Sequence, residues 1–329
     1  MSHPRRALIT GATGFVGSHL IEYLLAETDD AVFACRRSRS NLENVAHLSD
    51  PRLTWVETEI TDSLSMDQAI SDTRPDAVFH LAAISFVPQS WREPEQTFRV
   101  NTQGTINLLE SVRRYVRNGG ETRVLIIGSS EEYGLVFPNE VPITEDNPLR
   151  PLSPYGVSKV AEDLLGFQYH RSYGLHIVRS RAFNHTGPRR GAQFATSNFA
   201  FQVAECEAGV REPVIRVGNL EAKRDFTDVR DIVRGYHLAV LKGEPGEVYN
   251  LCSGRSVSLR WVLDTLLARS RVKPRIEVDP DRLRPSDVPI LQGDHNKFTK
   301  ATGWEPKIPL EQTLADLLDY WRGKVKKGA

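Results

Sequence analysis

The sequence predicts an α/β fold: a doubly wound parallel Rossmann sheet with a smaller, discontinuous C-terminal substrate domain. Three observations carry this. Short apolar runs rich in β-branched residues alternate with stretches of helical spacing; a glycine-rich turn, GATGFVG at 11–17, joins the first run to the first helical stretch; and the rhythm breaks after about residue 184. Such alternation covers a parallel sheet with helices on both faces. Right-handed crossovers then make it doubly wound.

Taken in order, ALIT at 7–10 opens the sheet and SHLIEYLLAE supplies the first helix. AVFA at 31–34, LTWVET at 53–58 and AVFHLAA at 77–83 follow as strands, and TFRVNTQGTINLLESVRRY has its apolar residues at helical spacing. VLIIG at 124–128 and HIVRSRAF at 176–183 complete the first half. Beyond them NHTGPRRGAQ is polar and glycine-rich, while EVYNLC at 247–252 reads as a strand returning to the sheet. A nucleotide-binding domain is therefore expected over 1–183 and 225–256, and a substrate domain over 184–224 and 257–329. Pro274, Pro280, Pro285, Pro289, Pro306 and Pro309 predict short helices and loops in the last part, with a frayed KVKKGA tail.

The chain of 329 residues is long enough to bury a sizeable core. Lys plus Arg and Asp plus Glu balance at 42 each, so the global charge gives no argument for nucleic acid or an anionic membrane. Cys35, Cys206 and Cys252 are odd in number and lack metal-ligand spacing, which predicts reduced thiols and no bound metal. The start of the chain lacks an apolar leader, and no apolar run approaches membrane-spanning length. A cytoplasmic protein is expected.

GATGFVG places Gly11, Thr13, Gly14, Phe15, Val16 and Gly17 where a strand turns into a helix. Glycines there permit a tight turn and close approach of backbone to a pyrophosphate, and the helix N-terminus favours the anion. An NAD-preferring site carries an acid about twenty residues on. This chain has Arg36, Arg37 and Arg39 instead, and guanidinium groups suit a 2′-phosphate. NADP(H) is the expected cofactor, with NAD(H) the alternative. Glu59, Ile60 and Asp62 are expected near the adenine, and Leu81, Ala82 and Ala83 beside the cofactor backbone. SPYGVSK at 153–159 makes Ser153 an N-cap with Pro154 at the first helical position, so Tyr155 and Lys159 stand one turn apart. An ammonium beside a phenol lowers its pKa from about 10 toward neutrality, and such a tyrosine exchanges a proton with a carbonyl or carbinol. Ser129 in GSSEEYG at 128–134 supplies a hydroxyl at a strand end.

GATGFVG, AVFHLAA, GSSEEYG and YGVSK occur in the order found in the extended short-chain dehydrogenase/reductase family, which the sequence resembles over nearly its whole length. The resemblance implies hydride transfer at a sugar carbon, with Ser129 and Tyr155 on the sugar oxygen and Lys159 on the nicotinamide ribose. FNHTGPRRG at 183–191, VGNLEAKRDFTDVRDI at 217–232 and LRPSDVP at 283–289 are similar to enzymes acting on GDP-sugars. That likeness implies reduction of the C4 carbonyl of GDP-4-keto-6-deoxy-D-mannose to GDP-D-rhamnose. A 4,6-dehydratase, with Glu131 as the eliminating acid/base, is the second reading, and a non-catalytic dinucleotide sensor the third. It further places His185 and Arg190 on the cofactor side. Ser85, Ser130, Glu131, Asn184, Asn198, Val217, Arg224, Arg284 and Asp287 fall on the substrate side, while Glu132 is expected to point away from the sugar. A homodimer is expected through the helix of TFRVNTQGTINLLESV and the one beginning at Tyr155, with a tetramer through Arg37 and Arg39 as the alternative.

Overall fold

Strands form where the β-branched runs lie, and the sheet order fixes where a ligand can sit. A computed structural model describes residues 5–282 and 288–328. β1 (Arg6–Thr10), β2 (Ala31–Arg36), β3 (Leu53–Glu57), β4 (Ala77–His80), β5 (Arg123–Ser129) and β6 (His176–Ala182) join β10 (Val248–Leu251) in a seven-stranded sheet of order β10-β6-β5-β4-β1-β2-β3. All its pairs are parallel. The order reverses between β1 and β4, and the crevice beyond the strand ends there is where doubly wound folds take ligands.

Side chains alternate along β1: Ala7 and Ile9 join a core with α1 (Phe15–Glu27) and α8 (Val229–Lys242), whereas Leu8 faces the core under α2 (Ser63–Thr73), α5 (Gly104–Arg117) and α6 (Pro154–Tyr173). Both faces are thus covered, as the alternation requires. Before α5 come α3 (Val87–Arg92), α4 (Pro94–Phe98) and one π-helical turn at Arg99–Gln103.

A second core gathers α7 (Ala195–Glu207), β8 (Val214–Val217), α9 (Leu259–Leu267), β12 (Arg275–Val278) and α11 (Leu310–Gly328). β7 (Asn184–Thr186), β9 (Lys223–Asp228), β11 (Ser256–Ser258) and β13 (Ile290–Leu291) form a small sheet beside it. α10 (Asn296–Thr302) and Trp304, sequence-assigned to the substrate domain, pack on the core of the large sheet instead. Trp304 donates its indole N–H to the carbonyl of Asp231 on α8, 2.9 Å away. The end of the chain also departs from expectation. Residues 310–328 form a long helix, because Leu310, Leu314, Leu317, Leu318, Trp321 and Val325 share one face buried in the second core. Lys324, in the tail expected to fray, pairs with Glu43.

Candidate active site

The residues of the glycine turn take the conformations their composition allows. Gly11 has φ of +67°, and a Cβ there would lie 2.8 Å from the amide nitrogen of Ala82. A Cβ on Gly17 would stand 2.4 Å from the Gly11 carbonyl oxygen. Gly14 caps α1, whose first amides open into a cleft of about 1550 Å³ running along the strand ends. Thr13, Phe15, Val16, Leu81, Ala82 and Ala83 line the same end. Thr10 ties β1 to this edge by accepting from the Ala82 amide at 3.1 Å, and His80 bridges Thr10 and Thr105 at 2.9 Å to each.

Arg36 and Arg37 border the cleft after β2, Arg36 with its guanidinium 5.6 Å from the Trp55 ring centre. Glu59 and Ile60 border it after β3, but Asp62 turns away to cap α2, accepting from the Leu64 amide at 3.0 Å. Arg190 and His185 also face the cleft. The Arg190 guanidinium lies 3.5 Å from the Phe194 ring centre and 5.1 Å from that of Phe15, with no carboxylate partner among the described residues. Burial lowers its pKa to about 10, and burial together with Arg190 lowers that of His185 to about 4. A half-buried cation with no carboxylate partner among the described residues, lining the same cleft as the start of α1, is a ready seat for an anion.

Ser153 accepts from the Gly156 amide at 3.0 Å and starts α6 at Pro154, which brings Tyr155 and Lys159 to the cleft beside Ser129. Lys159 Nζ donates to the Ile127 carbonyl and to Glu162 Oε2, both at 2.9 Å. The phenol pKa is not lowered as expected. Burial raises it and outweighs the downward pull of Lys159 and Ser129, while the Glu162 carboxylate works upward too.

The two carboxylates of GSSEEYG separate completely. Glu132 folds back into the core, accepting from the Ser129 amide at 2.7 Å and from Arg181 Nε at 3.1 Å. Glu131 is half-buried and lines the cleft with Ser130.

On the far side, Ser85, Asn184, Asn198 and Arg224 reach the cleft. Asn198 is already engaged, donating to the Ala192 carbonyl and accepting from Gln202 and Arg282. Arg224 donates to the Val288 carbonyl at 2.7 Å. Val217 does not reach the cleft. Its side chain is wholly buried in the second core, since β8 turns that face inward, and its neighbours Gly218 and Asn219 line the cleft instead. Arg284 and Asp287 lie outside the described residues.

Three residues of this region escaped the sequence reading. Glu162 sits one helical turn past Lys159, a spacing open to inspection. Asn101, in the π-helical turn, holds the loop after β4 against α6: it accepts from the Ile84 amide at 2.8 Å and donates to Ser158 Oγ at 2.9 Å. Tyr236 on α8 borders the cleft with a buried hydroxyl that lacks a partner among the described residues. Among the described residues no cluster of His, Cys, Asp and Glu has the arrangement of a metal site, and no helix is long and apolar enough to cross a membrane.

A glycine turn at the switch point of a parallel sheet, with serine, tyrosine and lysine converging beyond its strand ends, defines an extended short-chain dehydrogenase/reductase. Residues 8–317 match the family model described as GDP-mannose 4,6 dehydratase, and the chain belongs to that family. It is 32% identical to GDP-6-deoxy-D-mannose reductase of Pseudomonas aeruginosa, covering 98% of this chain and 99% of that one. It is 30% identical to GDP-mannose 4,6-dehydratase of Yersinia enterocolitica, over 95% of this chain and 93% of the relative. Among solved structures, RMD from Pseudomonas aeruginosa complexed with NADPH superposes with a TM-score of 0.82 at 30% identity, over 98% of this chain and all of that one (100%).

Proposed function

We propose that the protein reduces the C4 carbonyl of GDP-4-keto-6-deoxy-D-mannose to GDP-D-rhamnose with NADPH. The observation that carries this reading is the end-to-end likeness to the Pseudomonas reductase, 99% of whose length is matched. The residues present suit a dinucleotide: the glycine cradle leaves no room for a Cβ, and Arg190 and the Tyr236 hydroxyl offer an unpaired cation and an unpartnered polar atom along the same cleft. When bound, NADPH supplies the hydride. The remaining work falls to this chain's own groups. Arg36 and Arg37 take the 2′-phosphate, and the amides at the start of α1 take the pyrophosphate with Arg190 and His185 nearby. Ser129 donates a hydrogen bond to the sugar O4, and Tyr155 gives O4 its proton. Lys159 uses two of its N–H groups on Ile127 and Glu162, leaving the third for a ribose hydroxyl.

In this reading the second domain holds the GDP-sugar, through Asn184 and Arg224 with Arg284 and Asp287. Ser85, Ser130 and Glu131 then border the hexose, whose C6 is already a methyl group. The chain acts in the cytoplasm as a homodimer. The support for a dimer is an apolar strip on α6, with Val157, Leu164 and Phe167 exposed.

Cofactor stoichiometry tests the reaction. Mixing the protein with GDP-4-keto-6-deoxy-mannose is expected to consume one NADPH per sugar. Formation of that keto sugar from GDP-mannose without net cofactor use would instead make the protein a dehydratase, with Glu131 as its eliminating group.

A further inference from the structure

α6 carries Tyr155, Lys159 and Glu162 at spacings of four and three, so phenol, ammonium and carboxylate follow one another along a single helix face. Glu162 has no exposed surface. One of its oxygens lies 2.9 Å from Lys159 Nζ, and the other is buried without a partner among the described residues. A buried ion pair is seldom a gain in stability over apolar packing, so its presence calls for another reason. The chemistry at the other end of the lysine supplies one. Lys159 alone draws the tyrosine toward phenolate, the form that removes a proton from a carbinol. A reductase needs the phenol, because the Tyr155 O–H bond breaks as the sugar O4 takes its proton.

We propose that Glu162 is a positioning residue that anchors Lys159 against Ile127 and offsets its charge, adding to burial in keeping Tyr155 in the proton-donating form that reduction requires. The proposal rests on the reductive reading for its direction, and on the geometry of the pair for its substance. Of the other groups around the phenol, Arg190 and Tyr236 face Tyr155 from the cleft and act on it independently of Glu162, while the acids nearest the pair inside the core are engaged elsewhere. Asp163 is held by Arg179 and Arg181 at 3.0 and 2.8 Å, and Glu132 by Arg181 at 3.1 Å. His80 stays neutral through burial and then the Lys159 charge, and Glu131 approaches Tyr155 from the cleft side. Burial raises Glu162 to about 7, so its carboxylate is ionised in the alkaline range where a phenol titrates.

Ultraviolet difference titration of the ligand-free protein reads the phenol directly, with a Tyr155→Phe variant subtracting the other tyrosines. Glu162→Gln is expected to lower the Tyr155 titration by about one pH unit. The alkaline limb of NADPH consumption moves down with it, while Glu162→Asp, which keeps the charge, stays near wild type. An unmoved titration in Glu162→Gln overturns the proposal, whatever happens to turnover. If that variant does not fold, the neutral pair Lys159→Met with Glu162→Gln decides. It titrates near wild type when the two charges offset each other. A titration as high as that of Lys159→Met alone would show no offset and overturn the proposal. The phenol shift without any NADPH consumed by the keto sugar would uphold the charge pairing and overturn the reductase reading.

Discussion

Tyr155 lines the cleft with Ser129 at the strand end, and Lys159 Nζ, one turn along α6, stands 6.0 Å from its ring centre. Replacing Tyr155 with phenylalanine removes the proton donor and is expected to lower kcat by ~10²–10⁴-fold. NADPH affinity, followed by fluorescence, should change little; preserved turnover would remove Tyr155 from its assigned role. Arg36→Ala combined with Arg37→Ala is expected to cut the kcat/KM preference for NADPH over NADH by about tenfold or more, since charge-assisted contacts to a phosphate have no equal at a hydroxyl. Steady-state rates with the two cofactors check it. Ser129, Tyr155 and Lys159 were legible because their motifs are local and their spacing fixes which face they share. Val217 was not. Whether a strand residue faces a cleft or a core depends on register with β12, a long-range fact that no local pattern carries. Tyr155 teaches the same lesson in electrostatics: the helix spacing revealed the ammonium but not the burial that outweighs it.

The glycine turn is the element in which sequence and conformation agree most closely, because Gly11 and Gly17 stand where backbone would meet any added carbon. Gly17→Ala is expected to weaken NADPH binding at least tenfold and to destabilise the fold by about 1–3 kcal/mol. Isothermal titration and a urea midpoint read the two effects separately. The C-terminal helix was the least legible element. The prolines before it dominated the reading, although the apolar positions after Pro309 repeat at helical spacing. Leu317 is completely buried there, so Leu317→Ala should cost ~2–5 kcal/mol of stability in the same urea experiment. A cost near zero would mean that α11 contributes little to the second core.

At the scale of the whole molecule, burial holds His80 at about 3 and His19 at about 4, so both stay neutral in the folded protein at pH values where an unfolded chain binds protons. The contribution of these two histidines to stability is therefore complete above about pH 6.5 and is lost as pH falls toward those values, while Glu162, raised to about 7, works in the opposite sense over the same window. The loss is on the order of several kcal/mol. Urea midpoints between pH 7 and about 4 should show the slope, and His80→Gln should flatten it. The proposed association is tested by sedimentation: the parent chain is expected to run as a dimer and Leu164→Asp, on the exposed strip of α6, as a monomer. The doubly wound sheet was legible as a whole because alternating periodicities encode it. The return of residues 296–304 to the large sheet was not, since that docking depends on one indole reaching a carbonyl on α8. The second core has a consequence for the chain's birth. Its members come from three stretches, beginning near Phe199, Val257 and Leu310, with sheet-bound segments between them. That core cannot close until the stretch beginning at Leu310 has left the ribosome. The large sheet has all its strands once Val248–Leu251 has emerged, well before then, so a nascent chain passes through a stage with its glycine turn and sheet in place while the second core is still open to chaperones and proteases.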